Sequence, residues 1–146
     1  MNHDLTFYGT GAAEAIPSPF CSCRICRNAR EKGGHEVRRR SMLRISDEMC
    51  IDLGPDTVSQ AVQFGDLTQL RHVLVTHMHI DHFSYGVMEI RRMAYERGDW
   101  PLHYYLTDKA YEAVKMFTTD SFVAEETKKL LQHGIMEFHR LEYGQT

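Results

Sequence analysis

Short apolar segments alternate along the chain with amphipathic segments, which is the pattern of strands alternating with helices. Strands are predicted where β-branched, aromatic and aliphatic residues cluster between turn residues, at 5–8, 42–45, 49–51, 73–75 and 102–106, with an ambiguous last strand at 136–143. Helices are predicted at 57–64 and 85–95, then after Thr107 as N-cap, and from Ser121 to near Gly134. This order predicts an α/β fold in which a mixed β-sheet is flanked by helices.

Two of the predicted helices have an apolar face. In the first of them the apolar positions are Val58, Ala61, Val62 and Phe64. In the second they are Val87, Ile90, Met93 and Ala94. Apolar positions at this spacing are typical of a face that packs on a core, and they do not indicate a cofactor site.

A dense set of metal-binding side chains follows the apolar strand at 73–75. Residues 76–82 read Thr-His-Met-His-Ile-Asp-His, which provides the candidate ligands His77, His79, Asp81 and His82. Alternate side chains of an extended chain share one face, so the first two histidines can reach one ion, and a turn would bring the last two residues to a neighbouring ion. Imidazole and carboxylate suit zinc, and also manganese or iron. The alternative is a surface loop rich in histidine.

Three cysteines lie close together near the N-terminus, at Cys21, Cys23 and Cys26. In a reducing compartment this spacing favours thiolate ligands of a structural zinc over disulfides. A tetrahedral site then lacks one ligand, for which His35, another histidine or water are candidates. The alternative is three unligated cysteines in a loop. Cys50 stands apart in a predicted strand and is expected in the core.

Two segments suit phosphate binding but have simpler interpretations. Gly9-Thr10-Gly11 ends the first strand, where glycine permits a positive φ and a close backbone approach, and a plain turn is the commoner explanation. The arginines at 38–40 could pair with phosphate oxygens. Three adjacent side chains cannot all face one site, however, so a solvated loop is favoured.

The composition is that of a soluble globular protein. The 146 residues are 42% hydrophobic and 25% charged with a formal net charge of −3, which excludes a disordered chain and does not indicate a nucleic-acid-binding surface. No apolar run approaches the length of a membrane span, and the first residues do not resemble a secretory signal. We therefore expect one cytoplasmic domain over residues 1–146 with reduced cysteines.

The glycine loop, the Cys-x-Cys-x-x-Cys cluster and the His-x-His-x-Asp-His motif occur here in an order that resembles the metallo-β-lactamase superfamily. Over residues 5–95 the chain resembles the PhnP-type phosphodiesterases, which open phosphoribosyl cyclic phosphate, and it is also similar to the pyrroloquinoline quinone biosynthesis proteins B. The resemblance implies two divalent ions, Zn or Mn, and a metal-bound hydroxide as nucleophile. His77 and His79 would bind one ion, and Asp81 and His82 the other.

The same resemblance implies roles for other residues. Asp81 would also orient the nucleophile as a catalytic residue. A structural zinc on the three cysteines would be completed by a histidine from the C-terminal half. Asp52, in an Asp-x-Gly segment, would hold a ligand histidine by its second ring nitrogen.

The fold that the resemblance implies is a four-layer αβ/βα sandwich, of which the chain supplies the first half. We expect a domain that is truncated on its C-terminal side or completed by association, including association with a second copy. The expected activity is metal-dependent hydrolysis of a small phosphodiester such as a cyclic sugar phosphate. Two alternatives stay open: a hydrolase of thioesters, lactams or transfer RNA ends, and a non-catalytic metal-binding or cofactor-biosynthesis protein with an incomplete site.

Overall fold

The computed structural model describes residues 5–95, 100–117, 122–142 and 144, and a six-stranded mixed sheet lies at its centre. The strands lie in the sheet in chain order: β1 (Thr6–Gly9), β2 (Met42–Arg44), β3 (Met49–Ile51), β4 (His72–Val75), β5 (Leu102–Thr107) and β6 (Met136–Leu141). The first three are antiparallel, and β3 to β6 are parallel. The predicted α/β class and mixed sheet are therefore confirmed.

The helices are α1 (Arg24–Lys32), α2 (Thr57–Phe64), α3 (Tyr85–Tyr95), α4 (Asp108–Phe117) and α5 (Phe122–Gln132). Thr107 caps α4 as predicted, since its hydroxyl accepts a hydrogen bond from the Ala110 N–H at 3.4 Å. The predicted cap Ser121 lies outside the described residues. The sequence pattern missed α1, which is mostly polar and buries only Cys26 and Ala29. Within the described ranges, no helix combines the length and the apolar character that a membrane crossing requires.

The core lies between one face of the sheet and helices α2 to α5. Alternate strand residues point to this side, and they pack against residues such as Met88 of α3, Val114 of α4 and Leu130 of α5. The inward strand positions include Tyr8, Met42, Cys50, Val73, Val75, Tyr104 and Leu106. Cys50 is fully buried, as predicted, and burial raises the pKa of its thiol.

The opposite side of the sheet, here called the open face, carries half-buried or exposed side chains in two rows across the strands. One row is Phe7, Leu43, Ile51, Leu74, Tyr105 and His139. The next row is Met49, His72, His103 and Glu137. The open face is thus apolar over β1 to β3 and becomes polar towards β6.

The predicted apolar faces of α2 and α3 are partly wrong. Val58 and Val62 are 57% and 85% exposed, while α2 buries Thr57 and Gln60 instead. Gln60 can be buried because its amide donates a hydrogen bond to the carbonyl of Arg40 at 2.7 Å, which satisfies part of its polar group. In α3, Ile90 and Met93 are exposed, and the buried positions are Val87 and Met88.

Candidate metal centre

The heptad 76–82 starts where β4 ends, at the carboxyl edge of the parallel part of the sheet. Asp52 follows the neighbouring strand β3, and Ile51 lies opposite Leu74 in the parallel register. The Asp52 N–H donates a hydrogen bond to the carbonyl of Leu74 at 2.8 Å. Ligands bind at this edge in open α/β sheets, because successive loops converge there. The register therefore brings Asp52 to the base of the heptad.

Asp52 is buried, and its carboxylate is occupied by two residues of the heptad. It accepts hydrogen bonds from the N–H of Thr76 at 2.8 Å and from the Thr76 hydroxyl at 2.9 Å. Its Oδ2 lies 2.6 Å from Nδ1 of His82. A carboxylate can only accept, so Nδ1 of His82 carries the proton and Nε2 keeps its lone pair for a ligand. The predicted contact with a histidine is present; a role of Asp52 in metal binding stays a prediction.

Thr76 is the site residue that sequence reasoning missed. Its hydroxyl lies within 3.0 Å of Nδ1 of His77 and within 3.3 Å of Nδ1 of His82, besides contacting Asp52. One short side chain therefore contacts two of the candidate ligands and the carboxylate below them. The only sequence signal was its position as the first residue of the heptad, directly after a buried strand.

The first two histidines face one another with the atoms that a metal ion needs. Nε2 of His77 and Nδ1 of His79 are 3.1 Å apart. Two nitrogens bound to one tetrahedral zinc, each at 2.0–2.1 Å, are about 3.3 Å apart. The pair is thus close to the spacing of two ligands of one ion.

Asp81 and His82 form the second pair, which the chain reaches through a turn. The N–H groups of His82 and Phe83 both donate to the carbonyl of His79, so the chain bends back after the first two histidines. Oδ2 of Asp81 then lies 3.1 Å from Nε2 of His82. The rings of His77 and His82 are 4.0 Å apart between centroids, which places the two pairs side by side.

The other oxygen of Asp81 is the feature of the site that fits a cation best. Asp81 is 5% exposed, and its Oδ1 has no hydrogen-bond partner among the described residues. A buried carboxylate oxygen without a partner is costly, and a bound cation would satisfy it. The donor set of three imidazoles and a carboxylate also suits zinc or manganese. The residues present therefore fit a divalent metal.

Gly54 fixes the loop of Asp81 against the end of β3. A Cβ atom on Gly54 would lie 2.2 Å from the carbonyl oxygen of Asp81, so only glycine permits this approach. The Leu53 N–H also donates to the carbonyl of His82 at 3.0 Å. Backbone contacts from Leu53 and Gly54 thus hold the second pair in place.

The heptad provides two pairs of donors rather than one complete set. In the described part of the chain, two groups of three candidate ligands have donor atoms that all lie within 4.8 Å of one another, and neither includes the heptad. Each heptad pair would therefore need further ligands from another segment or from solvent. One of the two groups is the predicted cysteine cluster; the other consists of His103, Glu137 and His139.

The cysteine cluster has the geometry of a metal site at the start of α1. Cys23 is the N-cap of this helix and Cys26 lies in its first turn. The backbone amide of Cys26 and the thiols of Cys21 and Cys26 lower the pKa of Cys23 to about 7, which favours a thiolate near neutral pH. The Ser18 amide lowers the pKa of Cys26, but burial and the neighbouring thiols outweigh it and raise that pKa. His35, the local candidate for a fourth ligand, is not part of the group.

The glycine loop and the arginines serve mainly structural contacts. A Cβ on Gly9 would lie 1.9 Å from the carbonyl oxygen of Arg40, so the expected close approach is present, whereas a positive φ is not. The Arg40 guanidinium pairs with Asp56 at 2.7 Å, and Arg39 contacts Ser59. Their guanidinium groups are thus engaged within the chain, in line with the structural interpretation.

An apolar cleft borders the heptad. Met78 and Ile80, whose side chains alternate with the candidate ligands, line it together with Phe83, Tyr85, Met88, Val114 and Thr127. A second, more open cleft beside Asp52 is lined by residues that include Gly9, Thr10 and Ser41. A substrate at the heptad would therefore meet an apolar surface on one side and the glycine loop on the other.

Comparison with known proteins identifies the fold. No protein-family model and no curated protein matches the sequence. The structure is similar to a diphosphatase from the PhnP family, with a TM-score of 0.67 and 24% identity over 95% of this chain and 51% of that chain. It is also similar to Zn²⁺-bound PqqB from Methylobacterium extorquens, with a TM-score of 0.72 and 18% identity over 97% of this chain and 47% of that one.

A third similar structure is YhfI from Bacillus subtilis, a metallo-β-lactamase fold protein, with a TM-score of 0.52 and 16% identity over 97% of this chain and 46% of that one. The chain thus spans about half the length of the structures that it matches. Its six-stranded sheet and helices are one half of the metallo-β-lactamase fold.

Proposed function

We propose that the chain is the metal-binding half of a cytoplasmic metal-dependent hydrolase that acts on a small phosphodiester. The observation that carries this proposal is the buried Asp81: its Oδ1 has no partner among the described residues, and its Oδ2 lies 3.1 Å from His82, a histidine held by a second buried carboxylate. Such an arrangement is costly without a cation and is useful with one. The PhnP-family diphosphatase, which also cleaves bonds to phosphorus, supports the substrate class.

In this proposal the heptad holds two divalent ions, Zn or Mn. His77 and His79 bind one through Nε2 and Nδ1, and Asp81 and His82 bind the other. The ions supply a Lewis acid for the phosphate oxygens and lower the pKa of a bound water towards neutrality. A third ion, a structural zinc, belongs to Cys21, Cys23 and Cys26.

The protein residues position these ligands and the reacting water. Asp52 keeps the proton on Nδ1 of His82, so that Nε2 stays a ligand, and it anchors Thr76 below the first pair of histidines. Asp81 would hold an ion with one carboxylate oxygen, and its other oxygen would accept a hydrogen bond from the reacting water and orient it. The guanidinium groups of Arg39 and Arg40 are engaged elsewhere, so bound cations would supply positive charge for a phosphate.

A second candidate is a hydrolase of the same fold that attacks a carbonyl, as in a thioester. The apolar cleft beside the heptad favours it, because Ile80 and Phe83 would contact an apolar acyl group better than a sugar phosphate. A third possibility is metal binding without catalysis, in the manner of a cofactor-biosynthesis protein.

The test is a paired substrate assay on the chain loaded with Zn²⁺ or Mn²⁺, using bis(p-nitrophenyl) phosphate and a p-nitrothiophenyl ester. We expect phosphodiester hydrolysis that falls at least about 100-fold in His77→Ala/His79→Ala, and that is unchanged in the exposed control His133→Ala. Faster thioester hydrolysis would support the second candidate. Tight metal binding with no hydrolysis of either substrate would contradict both and support the third.

A further inference from the structure

A second group of metal-binding side chains lies on the open face, away from the heptad. Nδ1 of His103 is 3.0 Å from Nε2 of His139 and 3.3 Å from Oε2 of Glu137. The remaining distance, from Nε2 of His139 to Oε2 of Glu137, is 3.6 Å. The three donor atoms thus form a nearly regular triangle.

The size of this triangle matches the first coordination shell of a transition metal. Donors bound at 2.0–2.1 Å to one tetrahedral ion are about 3.3 Å apart, which lies in the middle of the three distances observed here. Two imidazoles and one carboxylate are also a donor set that binds zinc and related ions with positions left open for solvent or substrate.

The register of the sheet produces the cluster. His103 and Glu137 are directly paired between the parallel strands β5 and β6, and Tyr105 and His139 are paired two residues further on. Because side chains two apart on a strand share one face, all four residues point to the open face. His103 therefore has one candidate ligand opposite it and another diagonally across.

Aromatic contacts hold both imidazoles in place. The ring of His72 stacks on His103 with 5.3 Å between centroids, and the ring of Tyr105 stacks on His139 at 4.9 Å. The two supporting residues are themselves joined, since Nδ1 of His72 lies 3.1 Å from the hydroxyl of Tyr105. His72 and Tyr105 thus fix the directions of the donor nitrogens, as residues behind the ligands do in metal sites.

Hydrogen bonds among the three side chains do not satisfy all of the lone pairs that converge here. Each neutral imidazole carries one N–H, and the carboxylate carries none. At most two protons are therefore available to the three donor atoms that converge here, so hydrogen bonds leave at least one lone pair without a proton. A cation at the centre of the triangle would satisfy all three lone pairs together.

We propose that His103, Glu137 and His139 form an additional binding site for a divalent transition-metal ion such as Zn²⁺. The site is independent of the heptad and of the cysteines, and does not depend on the proposed hydrolase function. Its ligands are 24%, 49% and 39% exposed, so an ion enters from solvent on the open face.

The experiment is equilibrium dialysis of the 146-residue chain against Zn²⁺ under reducing conditions, followed by elemental analysis. It compares the unmodified chain with His103→Gln/His139→Gln, and repeats the comparison in a His77→Ala/His79→Ala background. We expect the double glutamine variant to lose one zinc equivalent in both backgrounds. Far-UV circular dichroism checks that each variant is folded.

A variant of the third ligand and a control outside the cluster complete the test. Glu137→Gln preserves shape at a half-exposed position, and we expect it to weaken zinc binding at this site at least about tenfold. His133→Gln changes an exposed histidine outside the cluster and should bind as many equivalents as the unmodified chain. Equal zinc content in the unmodified chain and the cluster variants would overturn the proposal, and so would an equal loss in His133→Gln.

Discussion

The heptad and the cluster on the open face use similar side chains but are built in opposite ways. In the heptad, three histidines and an aspartate are neighbours in the sequence, and a buried carboxylate supports them from below. On the open face, the donors come from two strands and are 34 and 36 residues apart, and aromatic rings support them. One site is encoded by a short motif and the other by strand register.

This difference in construction predicts a difference in sensitivity. The candidate ligands of the heptad lie on a loop, so their directions depend on Asp52, Thr76 and Gly54 beneath them. The ligands of the open face lie within strands, so their directions depend on the pairing of β5 with β6. Substitutions beneath one site should therefore leave the other unchanged.

The largest effect among these substitutions is expected for Asp52→Asn. An amide at this position would allow the other tautomer of His82 and remove a charge that its Nδ1–H contacts, so metal affinity at the heptad should fall about 10–100-fold. Zinc titration of this variant measures the loss. The matched control is Asp47→Asn, an exposed residue in the turn before β3, which should bind metal as the unmodified chain does. Equal affinity in both variants would mean that Asp52 does not support the heptad.

Gly54→Ala should disturb the heptad through its backbone. The added Cβ would meet the carbonyl of Asp81, so we expect a loss of about 1–3 kcal/mol in the free energy of unfolding and weaker binding at the second pair. Gly86→Ala is the control, because a Cβ at this position in α3 would make an ordinary contact with the hydroxyl of Ser84 at 3.7 Å, and alanine favours the helix. Chemical denaturation compares the two. If Gly54→Ala is destabilised no more than Gly86→Ala, the close contact between Gly54 and the carbonyl of Asp81 is contradicted.

Cys23→Ser should remove metal binding at the cysteine cluster and leave both histidine sites unchanged. We expect the loss of one zinc and a lower melting temperature, since a structural zinc contributes to folding, while binding at the heptad and the open face continues. Unchanged zinc content and melting temperature would show that the three thiols do not hold a metal.

The smallest effect concerns the ion pair that joins β6 to α4. The Arg140 guanidinium hydrogen-bonds to Asp108 at 2.5 Å, and it lowers the pKa of that carboxyl below its usual range. A lowered pKa stabilises the fold above the unfolded pKa of about 3.9, and the contribution is lost as the pH falls through the folded value. Asp108→Asn should therefore slightly lower the melting temperature at pH 6, with the difference from the unmodified chain vanishing in strong acid. A difference that persists at the lowest pH would contradict this assignment.

Sequence reasoning succeeded where the information is local. The strand before the heptad, the turn inside it, the cap at Thr107 and the core position of Cys50 each follow from a few neighbouring residues, and the structure confirms them. The fold also followed from a resemblance carried by three local motifs, and similar structures confirm it. The metal-binding roles of the motif residues stay predictions.

Sequence reasoning failed for residues whose surroundings depend on contacts between segments that are distant in the sequence. Val58 was expected in the core, but α2 turns Gln60 inwards because a carbonyl of the distant Arg40 can accept its hydrogen bond. His103 and His139 gave no signal as a pair, since only the register of β5 with β6 makes them neighbours. A pattern of apolar and polar positions contains neither fact.

The most direct test of the central claim is the metal content of the chain, purified without added metal, before and after His77→Ala/His79→Ala. We expect metal at the heptad in the unmodified chain, loss of this metal in the variant, and retention of the zinc on the cysteines. Full metal content in the folded variant would show that the heptad is not a metal site, and it would remove the basis for the proposed hydrolase.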